Sequence, residues 1–263
     1  MNKSHILLAV ALAPCGLVAQ IPSAPFQPSA NACSSRQASL GPTAETIVRN
    51  PCSFHGLLRH TGIEAEEFGK GIVKVPRAVI RHSNLKWELP ITAATGILIA
   101  EGDQPLANRI QGRSIQHIAR FWSNFGLGVE IASGGLTYVA GCAEHRGYLR
   151  NTGLTILDAL AAAGTADLAL KFTFDRQFPY TRGSTGDFWG GGRSFPSGHA
   201  AISFAFSSVI AHRYPHKRWL KWAGYSLATG VALSRYPAKR HYASDILVGS
   251  TLGYVIGSYM SAH

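Results

Sequence analysis

Gly190-Gly-Gly-Arg-Ser-Phe-Pro-Ser-Gly-His199 leads directly into an apolar run at 200–214 that is long enough for a helix. Pro196, Ser197 and Gly198 are turn residues immediately before that run. A helix that starts after such a turn points free backbone N–H groups and the positive end of its dipole outward, which favours an anion. The stretch therefore predicts an anion-binding helix start, although Ser197 would also serve as an ordinary N-cap.

The chain from residue 88 onward has the same helical character. Apolar residues recur at helical spacing and no segment alternates as a strand would, which predicts an all-α helical bundle. In the last helix Gly249, Gly253 and Gly257 lie four residues apart and predict a flat groove for close packing by another helix. The predicted helices cover 90–100, 110–125 with Gly126 at the end, 127–140, 154–170, 200–214, 222–234 and 244–261.

Two further segments carry polar residues suited to chemistry. Lys171 ends an apolar helix, where a lysine is commonly stabilised by the helix dipole. Nearer the C-terminus, His241 and Asp245 are four residues apart, so in a helix both side chains lie on one face. A carboxylate bonded to one ring nitrogen fixes the tautomer and leaves the other nitrogen free to attack or to take a proton. Arg235 adds a planar fork that suits phosphate oxygens.

In chain order the three segments form a pattern that none of them makes alone. They read Lys-x6-Phe-Pro at 171–179, Pro-Ser-Gly-His at 196–199 and Ser-Arg-x5-His-x3-Asp at 234–245. This order resembles the type 2 phosphatidic acid phosphatase superfamily, which also contains bacterial class A acid phosphatases and vanadium haloperoxidases. The second and third motifs match in full, and the resemblance covers roughly residues 90 to 259.

The resemblance implies a helical bundle that hydrolyses phosphate esters of lipids or small molecules without a metal or another cofactor, with vanadate fitting the pocket as a phosphate analogue. In that family the third-motif histidine, here His241, attacks phosphorus and forms a phosphohistidine. Asp245 would orient His241, and His199 would protonate the leaving oxygen. The residues implied to hold the phosphate oxygens are Lys171, Arg235, Ser197 and Gly198.

The first motif departs from the family pattern at one position. The family has an arginine before the proline, whereas this chain has Phe178 before Pro179. A missing arginine would weaken the stabilisation of phosphate charge, so another cation is expected to replace it. The candidates by sequence are Arg176, which we include among the phosphate-binding residues, Arg182 and Arg193.

Three other functions share these residues. A vanadate-dependent haloperoxidase would use the same pocket, and a non-catalytic phosphate-binding protein would result if the loss of the arginine at Phe178 had abolished catalysis. A catalytic metal bound by His199, His241 and Asp245 is disfavoured, because nearby cations would repel it.

The N-terminal region predicts export from the cytoplasm. Residues 1–19 have a basic start, an apolar run and a small residue at the end, as in a signal peptide. Residues 20–87 are read as an extension that is partly disordered with short helices, and 88–263 as the helical phosphatase domain. The expected location is the periplasm or cell envelope. Among the remaining cysteines, Cys33 and Cys52 are the favoured pair, which leaves Cys142 free, although the sequence does not settle the pairing.

Composition limits the partners. The formal net charge is +11, from 25 Lys and Arg against 14 Asp and Glu, but no nucleic-acid motif is present, so nucleic acid is not expected as a partner. A membrane-spanning helix needs about 18 or more apolar residues. Most runs here are shorter, which favours a soluble domain with contact to the membrane surface over a multi-spanning protein. The oligomeric state is left open.

Overall fold

The computed structural model of the chain describes residues 85–110 and 112–262. The predicted signal peptide, almost all of the extension at 20–87 and the favoured Cys33–Cys52 pair lie outside these residues. Cys142 is disulfide-bonded, which corrects the expectation that it is the free cysteine. The described residues form helices and loops without a strand, so the all-α prediction is confirmed for this part of the chain.

Seven α-helices are present in the described ranges, with one π-helical turn at Leu98–Gly102 between the first two. The boundary expected between residues 87 and 88 falls inside the first helix, in which Pro90 is an interior residue rather than the start. The helices are α1 Leu85–Ile97, α2 Asp103–Asn108, α3 Arg113–Ala143, α4 Gly147–Phe174, α5 Gly198–Arg213, α6 Arg218–Ser234 and α7 Ala243–Ala262.

Helix α5, which follows the glycine-rich stretch at 190–199, is the centre of the bundle and packs against α4, α6 and α7. Buried alanines and larger apolar side chains such as Ile156 and Val209 fill the α4–α5–α7 interface. Burial of apolar area of this kind is the main favourable contribution to folding. The core therefore fixes the position of α5, and His199 lies at the start of that helix.

The glycine series of the last helix is what allows α7 to approach α5 so closely. A Cβ atom on Gly249 would lie 2.4 Å from the Ser197 carbonyl oxygen, and one on Gly253 would lie 1.9 Å from the Ala201 carbonyl oxygen. These positions can hold no side chain unless the two helices separate. The close contact brings the start of α7, with Asp245, against the start of α5, where the Ser197 N–H donates to the Asp245 carbonyl oxygen at 3.0 Å.

The predicted break at Gly126 is wrong, because α3 runs through it without interruption. Gly126 is buried, and a Cβ there would lie 2.5 Å from Val231 Cγ2 of α6. The glycine is thus a contact point between two helices, inside a helix where glycine costs about 1 kcal/mol of helix propensity relative to alanine.

The outer face of the bundle is unusually apolar. On α3, Phe121, Trp122 and Phe125 are 54–62% exposed and pack on one another with ring centroids about 6 Å apart. Among the described helices, only α4 is long and apolar enough to cross a membrane by length and composition, a property that the core helix of a soluble protein can share. An exposed apolar surface of this size is typical of a region that contacts a membrane or another protein. The other large exposed apolar residues of α3 are Ile115, Ile118, Val129, Ile131, Leu136 and Val139.

Candidate active site

A pocket of about 400 Å³ opens where the start of α5 meets the ends of α4 and α6 and the loop before α7. The structure brings five of the residues predicted from the sequence into its wall, and places Ser197 and Asp245 directly behind it. The five are Lys171, Gly198, His199, Arg235 and His241. The wall is completed by Leu127, Asp167, Phe178, Ile202 and Arg240.

His241 is buried at the edge of the pocket, in the loop that leads into α7. Its Nδ1 lies 2.7 Å from the Ser194 carbonyl oxygen. A carbonyl oxygen only accepts, so Nδ1 carries the ring proton and Nε2 of the neutral ring keeps a free lone pair. Burial lowers the pKa of His241, and the nearby Asp245 carboxylate opposes that effect. The result is a neutral imidazole whose unprotonated nitrogen is available for attack.

Asp245 does not make the expected direct hydrogen bond to this histidine. Its Oδ2 lies 3.8 Å from His241 Nδ1, which is an ion-pair distance and too long for a hydrogen bond. The Ser194 carbonyl is the group that fixes the tautomer. Asp245 Oδ2 instead accepts the Tyr242 N–H at 3.0 Å, so its charge is held beside the ring. Asp245 therefore influences His241 through its charge.

His199 lies in the first turn of α5 and faces the pocket. Its Nε2 donates to Asn124 Oδ1 at 2.9 Å, and the same oxygen lies 3.5 Å from Arg235 Nη1, a second donor. Burial and the positive charges of Arg235 and its neighbours lower the pKa of His199 to about 3. The free site therefore holds a neutral His199, and a negatively charged ligand would raise the pKa of His199 again by offsetting the charge of the cations.

The start of α5 retains unused hydrogen-bonding capacity. Ser197 is fully buried and its Oγ has no hydrogen-bond partner within the described residues, and the same holds for Nε of the buried Arg235. Buried polar atoms normally have partners, so two such atoms beside one pocket indicate a polar ligand. Gly198 has no room for a side chain, since a Cβ would lie 2.5 Å from Asp167 Oδ2.

Lys171 reaches the pocket from the last turn of α4, but it is already paired. Its Nζ lies 2.7 and 2.5 Å from the two carboxylate oxygens of Asp167, one helical turn earlier. An anion in the pocket would share the lysine with that carboxylate. Asp167 is thus a site residue that the sequence did not single out, because a lone acid inside an apolar helix carries no motif.

Arg176 does not line the pocket, contrary to the prediction that it binds phosphate. It is 2% exposed, and its guanidinium is held on the far side of Asp245 by Asp103, Ser244 and the Gly186 carbonyl. The cause is local. Asp175, which caps α4, has left-handed backbone angles (φ 39°, ψ 45°), and the chain turns inward immediately after it.

The other two arginine candidates are exposed and absent from the pocket wall. Arg182 lies on the loop surface, and Arg193 packs over the Phe172 ring at 4.3 Å. The additional cation in the wall is Arg240, which the sequence analysis missed although it directly precedes His241.

Phe178 and Arg240 occupy the same side of the pocket. Phe178 stacks on Tyr180 with ring centroids 5.0 Å apart. The Arg240 guanidinium also contacts Tyr180, at 5.1 Å from its ring centroid. Phe178 also faces His241 at a centroid distance of 6.4 Å. Arg240 therefore brings positive charge to the side of the pocket where the motif arginine is missing.

The pocket as a whole combines one neutral imidazole with a free ring nitrogen, a second imidazole and a surplus of positive charge. Lys171, Arg235 and Arg240 outnumber Asp167 in the wall, and the N-terminal end of α5 adds its dipole. Such an arrangement stabilises an oxyanion in a partly desolvated site. In the described part of the chain no three His, Cys, Asp or Glu side chains converge as metal ligands would.

Comparisons with known proteins return a family model and two phosphatases. Residues 152–262 match the sequence model of the PAP2 superfamily. The chain is 29% identical over 191 residues to the lipid A 1-phosphatase of Porphyromonas gingivalis, an alignment that covers 70% of this chain and 38% of that protein. The chain therefore spans about two fifths of that relative. A structural search also returns the transmembrane PAP2-type phosphatidylglycerolphosphate phosphatase of Bacillus subtilis, with a TM-score of 0.43, 17% identity and coverage of 74% of this chain and 93% of that one.

Proposed function

Because residues 152–262 belong to the PAP2 superfamily, we propose that this protein is a metal-independent phosphatase that hydrolyses lipid phosphate esters through a phosphohistidine on His241. The observation that carries the proposal is the His241 ring. Its Nδ1 proton is held by the Ser194 carbonyl, which leaves Nε2 free, and the ring lines the pocket together with Arg235 and Arg240. A neutral imidazole beside clustered cations is suited to attack on phosphorus.

In the first step His241 Nε2 attacks phosphorus and the ester P–O bond breaks. The leaving oxygen takes a proton from His199. That proton requires the bound substrate, because His199 is neutral in the free site and the phosphate charge raises its pKa. Arg235, Arg240 and the backbone N–H groups at the start of α5 stabilise the charge on the non-bridging oxygens.

In the second step water attacks the phosphorus of phosphohistidine and the N–P bond breaks. His199, left neutral by the first step, accepts the proton of the attacking water. Inorganic phosphate is released and His241 returns to its neutral form, still donating from Nδ1 to Ser194. Asp245 stabilises the positive charge that develops on the His241 ring during both steps.

The apolar surroundings support a lipid substrate. Leu127 and Ile202 form one side of the pocket wall, and the exposed Phe121, Trp122 and Phe125 of α3 lie on the same helix as Leu127. The relative from Porphyromonas gingivalis is named for action on lipid A. We place the enzyme in the cell envelope after export, with the apolar face of α3 against lipid.

The substrate proposal predicts a preference for long chains. With chelator present, kcat/KM for a long-chain alkyl phosphate in mixed micelles is expected to exceed that for a two-carbon ester at least about tenfold, because roughly 0.8 kcal/mol is gained per buried CH₂. Released phosphate is the readout. Loss of activity in chelator would contradict metal independence, and equal kcat/KM for the two esters would contradict the lipid substrate.

Arg240→Ala tests which cation replaces the motif arginine. We expect kcat/KM to fall about 10- to 100-fold, since a hydrogen bond to a charged group contributes about 1.5–3 kcal/mol. Arg193→Ala is the matched control, because Arg193 is an exposed arginine of the same region that contacts Phe172 outside the pocket. Steady-state kinetics on one ester measure both. Equal effects of the two substitutions would remove Arg240 from the phosphate site.

A further inference from the structure

Behind the catalytic pocket, a chain of buried ion pairs links Asp245 to a helix outside the family match. Arg176 Nη1 lies 2.5 Å from Asp245 Oδ1, and Arg176 Nη2 lies 2.8 Å from Asp103 Oδ2. All three side chains are at most 2% exposed. Asp103 begins α2, about fifty residues before the region that matches the PAP2 superfamily. The position of a catalytic-site carboxylate therefore depends on a part of the chain that the family does not define.

The arginine in this chain of ion pairs is enclosed on every side. Its Nε donates to the Gly186 carbonyl at 2.9 Å, and its Nη1 also donates to Ser244 Oγ at 2.7 Å. The guanidinium lies between two aromatic rings, 4.8 Å from the centroid of Phe188 and 4.3 Å from that of Tyr242. These contacts use four of the five N–H groups of Arg176, whose side chain is only 2% exposed, so its role is within the protein.

Asp103 also holds the start of α7. Its Oδ1 accepts the Ser244 N–H at 3.1 Å, and its Oδ2 accepts the Ser244 hydroxyl. Burial raises the pKa of Asp103 overall, although Ser244 and Arg176 offset part of that rise. With a guanidinium at 2.8 Å and two further donors, we take Asp103 as ionised at neutral pH. The carboxylate of α2 thus fixes the residue next to Asp245.

The net charge of this network affects the stability of the positively charged His241 ring. Asp103, Arg176 and Asp245 together carry one net negative charge, because the single arginine neutralises one of the two carboxylates. Without Asp103 the arginine would cancel Asp245 and leave the network neutral. His241 becomes positively charged as it attacks phosphorus, so the remaining negative charge stabilises that step.

We propose that Asp103 and Arg176 are positioning residues for the phosphatase reaction: together they hold Asp245 in place, and the Asp103 carboxylate keeps the network negatively charged so that it balances His241 during attack. The proposal rests on the proposed function of His241. It assigns a role in the chemistry to α2, which lies before the family match. It also explains why Arg176 is buried although it lies within the first motif.

The test compares three substitutions in the full-length protein, using pH profiles of kcat and kcat/KM for one substrate. Asp103→Asn makes the network neutral. It is expected to lower kcat about 10- to 100-fold with KM within about twofold, as is typical for residues that support a catalytic group. The acidic limb of kcat/KM should move to lower pH, because protonated His241 loses a stabilising charge. Arg176→Gln doubles the net negative charge, and its acidic limb should move to higher pH.

Ser244→Ala is the matched control, since it removes hydrogen bonds from the same network without changing its charge. The acidic limb of its kcat/KM profile is expected to coincide with that of the parent, whether or not its kcat changes. The other charged and titratable groups near His241 are unchanged in all three variants, and they are Asp245, Asp167, Lys171, His199, Arg235 and Arg240.

The outcomes separate the two proposals. A parent enzyme without phosphatase activity would overturn the proposed function itself. An active parent, together with Asp103→Asn and Arg176→Gln profiles whose acidic limbs coincide with that of the parent or both move in the same direction, would overturn only the positioning role. If Asp103→Asn does not fold, the opposite shift expected for Arg176→Gln still decides the question.

Discussion

His241→Ala is expected to lower kcat by more than about 10³-fold. Loss of a nucleophile removes the covalent route, and residual catalysis then comes only from the groups that bind and stabilise the phosphate. The cations of the pocket and the start of α5 remain in place. Inorganic phosphate should therefore still raise the melting temperature of the variant.

The matched control for this substitution is His216→Ala, which changes an exposed histidine in the loop between α5 and α6, at the opposite end of α5 from His199. It is expected to retain the parent kcat. A His241→Ala variant that folds, binds phosphate and still turns over within about tenfold of the parent would show that another group attacks phosphorus.

The loss of kcat in His199→Ala is expected to depend on the leaving group of the ester. For an alkyl phosphate, whose leaving oxygen needs a proton, kcat should fall about 10²- to 10⁴-fold, as is typical for loss of a general acid. For a nitrophenyl phosphate the leaving group departs without protonation, so the loss should be within about tenfold. The ratio of the two losses is the quantity to measure.

An equal loss with both esters would assign His199 to phosphate binding instead of proton donation. Asn124→Ala offers an independent check, because Asn124 accepts the Nε2 proton of His199 and is itself remote in sequence. Its effect should be smaller than that of His199→Ala and should show the same dependence on the leaving group.

The helix start and the third motif were the parts of the site that local sequence could predict. Pro196, Ser197 and Gly198 place His199 in a first helical turn, and the four-residue spacing of His241 and Asp245 places the two side chains close together where the chain enters α7. These features depend on a few adjacent residues and on helical periodicity. The all-α fold follows from the same periodicity.

Residues that reach the site from distant helices were not predictable in this way. Asn124 lies 75 residues from His199, and Asp103 lies 73 residues from Arg176, and neither belongs to a motif. Their positions are set by how α3 and α2 pack on the bundle. Gly126 shows the same limit, since a glycine that normally weakens a helix is kept inside α3 because α6 needs the space.

Arg176 illustrates how closeness in sequence can mislead. It lies two residues from Phe178, but the left-handed cap at Asp175 turns the chain so that Arg176 points into the interior. Arg240 could have been predicted from the sequence, because a cation directly before the predicted nucleophile in a loop is necessarily close to the pocket.

The central claim is a phosphohistidine on His241, and trapping that intermediate tests it most directly. The parent enzyme is mixed with a substrate carrying labelled phosphate in the presence of chelator, quenched with base within milliseconds, digested and analysed by mass spectrometry. We predict a burst of label on His241 that is stable in base and lost in acid. Label on a different residue, or normal turnover without any labelled protein, would contradict the account.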